Sequence, residues 1–170
     1  MHSRIFEIKD AYFERDEWAS DYDIADDNFH IEGVDYFQPL DDDNLRCENI
    51  KNFFNDVFPD NSFKILSNRP GETAIVQFVG DIKALYEKWI ASIKEAANNI
   101  DYEEKGRWSI YNVALAVQEP FYLCQKFYQP DWNGCTVGAD DFLGYLRHLS
   151  EKNEGRPFKI YVGEVFDFHF

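Results

Sequence analysis

The last fourteen residues, 157–170, constrain the fold most strongly, because they form one long alternating pattern that is too apolar to lie alone in water. The residues expected on the apolar face are Phe158, Ile160, Val162, Phe166, Phe168 and Phe170. Those expected on the opposite face are Lys159, Tyr161, Asp167 and His169, as in a half-buried strand. Glu164 also falls on the apolar face, and a bulge at Gly163 would turn it outward. We therefore predict a strand inside a sheet.

Helical and extended patterns are interspersed along the rest of the chain. Apolar residues at positions 50, 53, 54, 57 and 58 predict a helix that is capped by the aspartates at 41–43 and ends at Pro59. Pro70 and Gly71 predict a hairpin between strands 63–67 and 72–79. The other predicted elements are a strand over 3–8, helices beginning at Asp81, at Ser109 and at Asp140 or Asp141, and a strand over 121–128.

The hairpin and the irregular spacing of these elements argue against a regular βαβ repeat. The predicted fold class is α+β, with a mixed, mainly antiparallel sheet covered by three to four helices. A length of 170 residues suits a single domain, and no Pro-, Gly- or Ser-rich linker interrupts it. We expect one globular domain over 1–170, with residues 1–45 as an acidic, aromatic-rich, loop-dominated segment packed on it.

The sequence also predicts the compartment. No run approaches the roughly 20 apolar residues that are needed to cross a bilayer, and the N-terminus has no apolar signal segment. The three cysteines are an odd number at unpatterned spacings, which is typical of reduced thiols. We expect a cytoplasmic protein that does not associate with membranes.

Charge is distributed very unevenly along the chain. The formal net charge is −15, which argues against direct binding of nucleic acid, because that requires Lys and Arg to neutralise phosphates. Residues 1–60 contain 17 acidic and 5 basic residues, whereas the remaining 110 contain 15 acidic and 12 basic residues. The excess negative charge therefore belongs almost entirely to the first third of the chain.

Sequence motifs for metals, cofactors and catalysis are weak or absent. The segment Asp21–Glu32 resembles a calcium loop at its first, third and twelfth positions. However, Ala25 has no side-chain oxygen and Asp26 stands where the loop needs glycine, so a solvated acidic loop is predicted. No zinc-binding pair, nucleophile elbow or phosphate-binding glycine loop is present. We predict no metal, no cofactor and no catalytic residue, which favours binding over catalysis.

The acidic N-terminal third is the main candidate for a binding surface, because aromatic residues alternate there with carboxylates. Carboxylates steer a basic partner, and aromatic rings supply contact area that is shielded from water. We therefore predict a binding protein that docks a basic protein surface. The candidate residues are Trp18, Asp21, Tyr22, Asp23, Asp26, Asp27, Tyr36, Asp41 and Asp42.

Two other interpretations use the high aromatic content of 18% differently. The first is a small-molecule-binding or small enzyme domain with an aromatic-lined pocket. Its candidate lining residues are Trp108, Tyr111, Tyr122, Tyr128 and Trp132. The second is a homo-oligomer in which exposed aromatic residues form a self-complementary patch.

Overall fold

The computed structural model describes residues 2–26, 36–100, 106–123, 125–132 and 136–169, and these share one mixed sheet. Its strands are β1 (His2–Lys9), β2 (Tyr36–Pro39), β3 (Phe63–Ser67), β4 (Ala74–Phe78), β5 (Lys126–Tyr128), β6 (Thr136–Val137) and β7 (Phe158–His169). The order is β3-β4-β7-β1-β5-β6, and β2 also pairs with β7. Among the described strands only β1 and β5 pair in parallel, so the predicted α+β class with a mainly antiparallel sheet is confirmed.

Strand β7 is the centre of this sheet, as its apolar pattern predicts. One side of β7 pairs with β1 along most of its length. The other side is shared by two shorter strands, since β4 pairs with its first half and β2 with its second half. The sheet is therefore split between β2 and β4, and β7 holds the two parts together.

Five α-helices accompany the sheet in the described residues, one more than the upper end of the prediction. They are α1 (Asp21–Asp26), α2 (Asp43–Asn52), α3 (Ile82–Asn98), α4 (Gly106–Gln118) and α5 (Ala139–Lys152). The additional short helix α1 lies in the segment that was expected to be mostly loop. None of the helices in the described part of the chain is both long and apolar enough to cross a bilayer.

The predicted helix boundaries are partly right. Asp42 accepts a hydrogen bond from the backbone N–H of the second residue of α2, and Asp81 caps α3 in the same way. Helix α4 begins three residues before Ser109. The strand predicted over 121–128 is wrong in its first half, because the chain makes a 3₁₀ turn at Pro120–Tyr122 and joins the sheet only in β5.

The larger hydrophobic core lies between the sheet and helices α2 and α5, and it contains much of the aromatic content. Its phenylalanine rings pack edge to face or stacked, with Phe127 and Phe142 at 4.0 Å between ring centroids. The apolar residues predicted to form one helix face at positions 50, 53, 54, 57 and 58 are buried except Val57, which is 46% exposed. Residues 53–57 form a π-helical turn, whose wider winding rotates Val57 away from the core.

A smaller core lies on the opposite face of the sheet, under residues 10–26. It consists of Ile5, Ile24, Tyr128, Phe166 and Phe168. The prediction that all apolar residues of β7 share one face is therefore wrong. Val165 packs in the larger core with Phe158, Ile160 and Val162, whereas Phe166 and Phe168 face the smaller one.

The apolar residues of β7 change face because the strand has a β-bulge at Gly163 and Glu164, and the sequence predicts a bulge at Gly163. Phe6 pairs with Val165 and Ile8 with Val162, so two residues of β7 lie opposite Glu7 alone. One extra residue shifts the alternation by one position, and every later side chain moves to the other face. The bulge is therefore what divides the apolar residues of β7 between two cores.

Two buried charged side chains satisfy the backbone groups that the bulge leaves unpaired. The Oε2 atom of Glu7 accepts the N–H of Glu164 at 3.0 Å. From the other side of β7, the Nη1 atom of Arg46 donates to the carbonyl of Gly163 at 2.6 Å, and its Nη2 donates to the carbonyl of Glu72 at 2.5 Å. Arg46 is fully buried and occupies the split between β2 and β4.

The bulge requires glycine at position 163. A Cβ atom there would lie 2.6 Å from the Phe13 ring and even closer to the Oε2 atom of Glu7. Distances this short force either the ring or the carboxylate to move. Position 163 therefore couples the centre of the sheet to the segment that covers its second face.

We predict that Gly163→Ala destabilises the protein by about 1–3 kcal/mol, because it overpacks the contact with Phe13 and Glu7. The free energy of unfolding from urea denaturation measures this effect. Gly144→Ala is the matched control, since a Cβ in the middle of α5 meets nothing within 4 Å. This control should gain about 0.5–1 kcal/mol of stability, and equal stability of the two variants would contradict the prediction.

Candidate functional site

The segment after β1 is attached to the sheet by a chain of hydrogen bonds that ends at Trp18. The Oγ1 atom of Thr73 donates to the backbone carbonyl of Phe13 at 2.6 Å. The Nε1 atom of Trp18 donates in turn to Oγ1 of Thr73 at 2.8 Å. The Arg46 guanidinium carbon lies 4.3 Å from the centre of the Trp18 ring, within cation–π range. Trp18 is therefore held in place by the same arginine that fills the split in the sheet.

Next to Trp18 is a cavity of about 180 Å³, here called the Glu7 cavity. Its lining residues are Glu7, Lys9, Glu17, Trp18, Ala19, Asp23, Tyr128 and Pro130. Strand β1 supplies the floor, and residues 17–23 supply the rim. Among the described residues, three carboxyl groups and one ammonium line this space, so acidic groups are in local excess there.

Glu7 is the innermost acidic group of the cavity, with only 1% of the residue exposed. Its Oε2 atom accepts backbone N–H groups from Ala19 and Glu164, each at 3.0 Å. Its Oε1 atom forms an ion pair with Nζ of Lys9 at 3.4 Å. Burial raises the pKa of Glu7, and the two backbone N–H groups and Lys9 lower it in part. Glu7 is thus held by two backbone N–H groups and by the ammonium group of Lys9.

The two carboxylates at the rim are held by their own local hydrogen bonds. Oε2 of Glu17 accepts the backbone N–H of Glu14 at 2.8 Å. Oδ2 of Asp23 accepts the hydroxyl and the backbone N–H of Ser20 at 2.6 and 2.7 Å, and these bonds lower the pKa of Asp23. The donors orient both side chains without neutralising them.

Exposed carboxylates are frequent in the segment 14–23, which contains the cavity-lining residues Glu17 and Asp23. We call this group the acidic face, and it comprises Glu14, Asp16, Glu17, Asp21 and Asp23. None of them forms an ion pair with a lysine or arginine of the described chain. Nearby acidic residues differ, since Asp10 pairs with Lys152 at 2.9 Å and Asp43 with Arg15 at 2.8 Å. The acidic face is therefore uncompensated charge.

The structure brings together only part of the predicted binding surface. Trp18 and Asp23 line the Glu7 cavity, while Asp21 and Tyr22 lie beside them on α1. Asp41 and Asp42 are exposed at the start of α2, where Asp42 serves as the helix cap. Asp27 lies outside the described residues, as do the side chains of Asp26 and Tyr36.

Sequence reasoning missed Glu7, Lys9 and Glu17 as site residues. Glu7 had one available signal, because it is a carboxylate between Phe6 and Ile8 in a strand that is otherwise mostly apolar. The alternation of a strand would place such a residue on a solvated face. Its burial arises only because residues 10–26 fold back across that face.

The alternative aromatic pocket stays a prediction. Tyr128 is buried beside the Glu7 cavity, whereas Tyr111 is exposed on α4. Trp132 lies 4.5 Å from His148 between ring centroids and lines neither the Glu7 cavity nor a larger one of about 410 Å³. The side chains of Trp108 and Tyr122 lie outside the described residues. Within the described ranges, no group of three or more His, Cys, Asp or Glu is placed to hold a metal ion.

Comparison with protein-family models found no match to this chain, and neither did comparison with curated proteins or with solved structures.

We predict that Arg46→Met destabilises the protein by about 2–5 kcal/mol, because each buried carbonyl that loses its donor costs about 1–3 kcal/mol. Urea denaturation measures the loss. Arg15→Met is the matched control, since its ion pair with Asp43 is largely exposed and should contribute less than about 1 kcal/mol. A loss for Arg46→Met no larger than that for Arg15→Met would contradict the role assigned to Arg46.

We predict that Glu7 stabilises the protein less as the pH rises. Because the pKa of Glu7 is raised above 4.5 by burial, the folded protein binds a proton here that the unfolded chain has already lost. The stability advantage of the wild type over Glu7→Gln should thus be fully present below pH 4.5 and shrink as the pH rises through the folded-state pKa. Urea denaturation of both proteins across this range is the measurement, and an advantage that grows with pH would contradict it.

Proposed function

We propose that this protein is a non-catalytic binding protein that docks a basic protein surface through the acidic face. The observation that carries the proposal is the uncompensated charge of that face beside an exposed aromatic ring. Tyr22 is 76% exposed and lies on α1 between Asp21 and Asp23. Such a ring offers a large apolar contact together with a hydroxyl that can form a hydrogen bond.

Unpaired like charges on one short segment raise the free energy of the unbound protein, because they repel one another. A cationic partner removes that cost and gains charge-assisted hydrogen bonds. The same field accelerates the encounter of the two proteins, and salt screens it over about 10 Å at 0.1 M. Binding through this face should therefore depend strongly on ionic strength.

The local geometry also suits recognition. Glu17 and Asp23 are oriented by backbone and hydroxyl donors, so little side-chain freedom remains to be lost when a partner binds. Trp18 is fixed by Thr73 and Arg46. The proposal places the interaction in the cytoplasm, in keeping with the interpretation of the cysteines as reduced thiols.

We predict that neutralising four residues of the acidic face strongly slows association with the partner. The variant carries Asp16→Asn, Glu17→Gln, Asp21→Asn and Asp23→Asn. Basic proteins from the source cell are captured on the wild type at low salt, and their association rates are then measured by surface plasmon resonance. The rate should fall at least about tenfold in the variant, because steering by the face is lost.

The matched control changes net charge by the same amount on helix α3 and near the end of α5. It carries Glu87→Gln, Glu95→Gln, Glu151→Gln and Glu154→Gln, all at exposed positions. Circular dichroism checks that both variants are folded. The control should keep the association rate of the wild type within a factor of about two. Equal rates for the two variants would show that overall charge, and not this face, attracts the partner.

A further inference from the structure

We propose that helix α4 is a dimerisation surface, which pairs with the α4 of a second copy of this chain. The two helices cross antiparallel about a twofold axis near Ala114. The interface includes none of the residues of the acidic face, so it does not depend on the proposed docking function.

Helix α4 has the composition of a buried helix. Eight of its 13 residues are apolar, and they are distributed around its whole circumference. It contains no Asp or Glu, although acidic residues make up 32 of the 170 residues of the chain. A helix that is apolar on all sides is normally covered by other elements on more than one side.

The fold covers only part of α4. Among the described elements, α4 packs extensively only against α3 and against the 3₁₀ turn that follows it. The contact with α3 includes a hydrogen bond from Nε1 of Trp89 to the carbonyl of Ala116 at 2.7 Å. Ile110, Ala114 and Val117, spaced i, i+4 and i+7, form an exposed stripe on another side of the helix. Ile110 is 62% exposed and Val117 is 45% exposed, so the stripe lacks a covering element among the described residues.

The distribution of charge favours a second copy as that covering element. Residues 82–118, which include α3 and α4, contain five basic and five acidic residues and are neutral. The whole chain has a formal charge of −15, so two copies repel each other over most of their surfaces. A contact through α4 brings together two segments without net charge, and repulsion opposes such a contact least.

The stripe is also complementary to itself. In an antiparallel helix pair, a twofold axis at Ala114 places Ile110 of one copy against Val117 of the other, and symmetry repeats this contact. The small side chain of Ala114 lets the two backbones approach, while the larger residues fill the space on either side. Such a contact uses the same surface on both copies, so association stops at two.

The size of the surface determines how strong the dimer is. A helix of 13 residues is about 20 Å long, so a contact between two copies of α4 is short. It buries less than the roughly 800 Å² per partner that is typical of a stable interface. We therefore expect a weak dimer, with a dissociation constant of about 10–100 µM.

The test measures the average molar mass of the full chain by sedimentation equilibrium, over a range of protein concentrations and at low and high salt. The mass should rise with protein concentration from that of a monomer towards that of a dimer. Higher salt should strengthen the dimer severalfold, because screening weakens the repulsion between two acidic molecules. A monomer at every concentration up to about ten times the expected dissociation constant, or a dimer that weakens as salt is added, would overturn the proposal.

Variants test whether the stripe on α4 forms the contact. Ile110→Glu and Val117→Glu should each weaken the dimer at least about tenfold, because a carboxylate in the contact loses water without gaining a partner. Both positions are exposed, so the fold should be retained, and urea denaturation checks this. Leu45→Glu adds the same charge at an exposed position of α2 and is the matched control, which should dimerise like the wild type. Equal dissociation constants for the control and both stripe variants would overturn the assignment to α4.

The four-residue variant of the acidic face separates this interface from the docking surface. It should dimerise at least as strongly as the wild type, because it removes negative charge from both copies. Loss of the dimer in that variant would assign the contact to the acidic face and overturn the role of α4.

Discussion

Two buried charged side chains, Arg46 and Glu7, hold the bulge of the central strand from its two sides. Strand β7 has one extra residue, which divides its apolar side chains between two cores. That residue also leaves backbone N–H and C=O groups in the middle of the sheet without a partner on the neighbouring strands. Arg46 takes the carbonyl of Gly163, and Glu7 takes the N–H of Glu164. Without these partners the sheet would contain unpaired polar groups at its centre, each of which costs about 1–3 kcal/mol.

Burying charge in this way is expensive, and the structure offsets the cost only in part. Arg46 donates to backbone carbonyls and lies over the Trp18 ring, while its Nε atom has no hydrogen-bond partner among the described residues. Glu7 accepts two backbone N–H groups through Oε2 and forms an ion pair with Lys9 through Oε1. An apolar pair would pack with less cost but would leave the bulge unsatisfied. Fold and site therefore share the same residues, and a change at the bulge should alter the Glu7 cavity.

The aromatic and acidic residues, which are mixed along the first third of the sequence, separate in space. Phe13 is buried against Gly163. Trp18 is half-buried, donates a hydrogen bond to Thr73 and lies against the Arg46 guanidinium. Tyr22 and the carboxylates around it stay at the surface. The proposed partner would therefore meet one exposed ring and a preformed acidic pocket, instead of a continuous row of aromatic anchors. This arrangement favours recognition by charge and hydrogen bonding over recognition by apolar area.

The sequence by itself determined the elements whose causes are local. The alternating pattern of β7, the caps at Asp42 and Asp81, the hairpin at Pro70 and Gly71 and the acidic N-terminal third all follow from neighbouring residues. The bulge at Gly163 was also predictable, because a carboxylate interrupts an apolar alternation there. The tertiary structure alone decided that Val165 and Phe166 serve different cores, that Val57 turns outward and that Glu7 is buried. Each of these depends on which segment covers which face, and that is set by contacts between residues far apart in the chain, about which local periodicity holds no information.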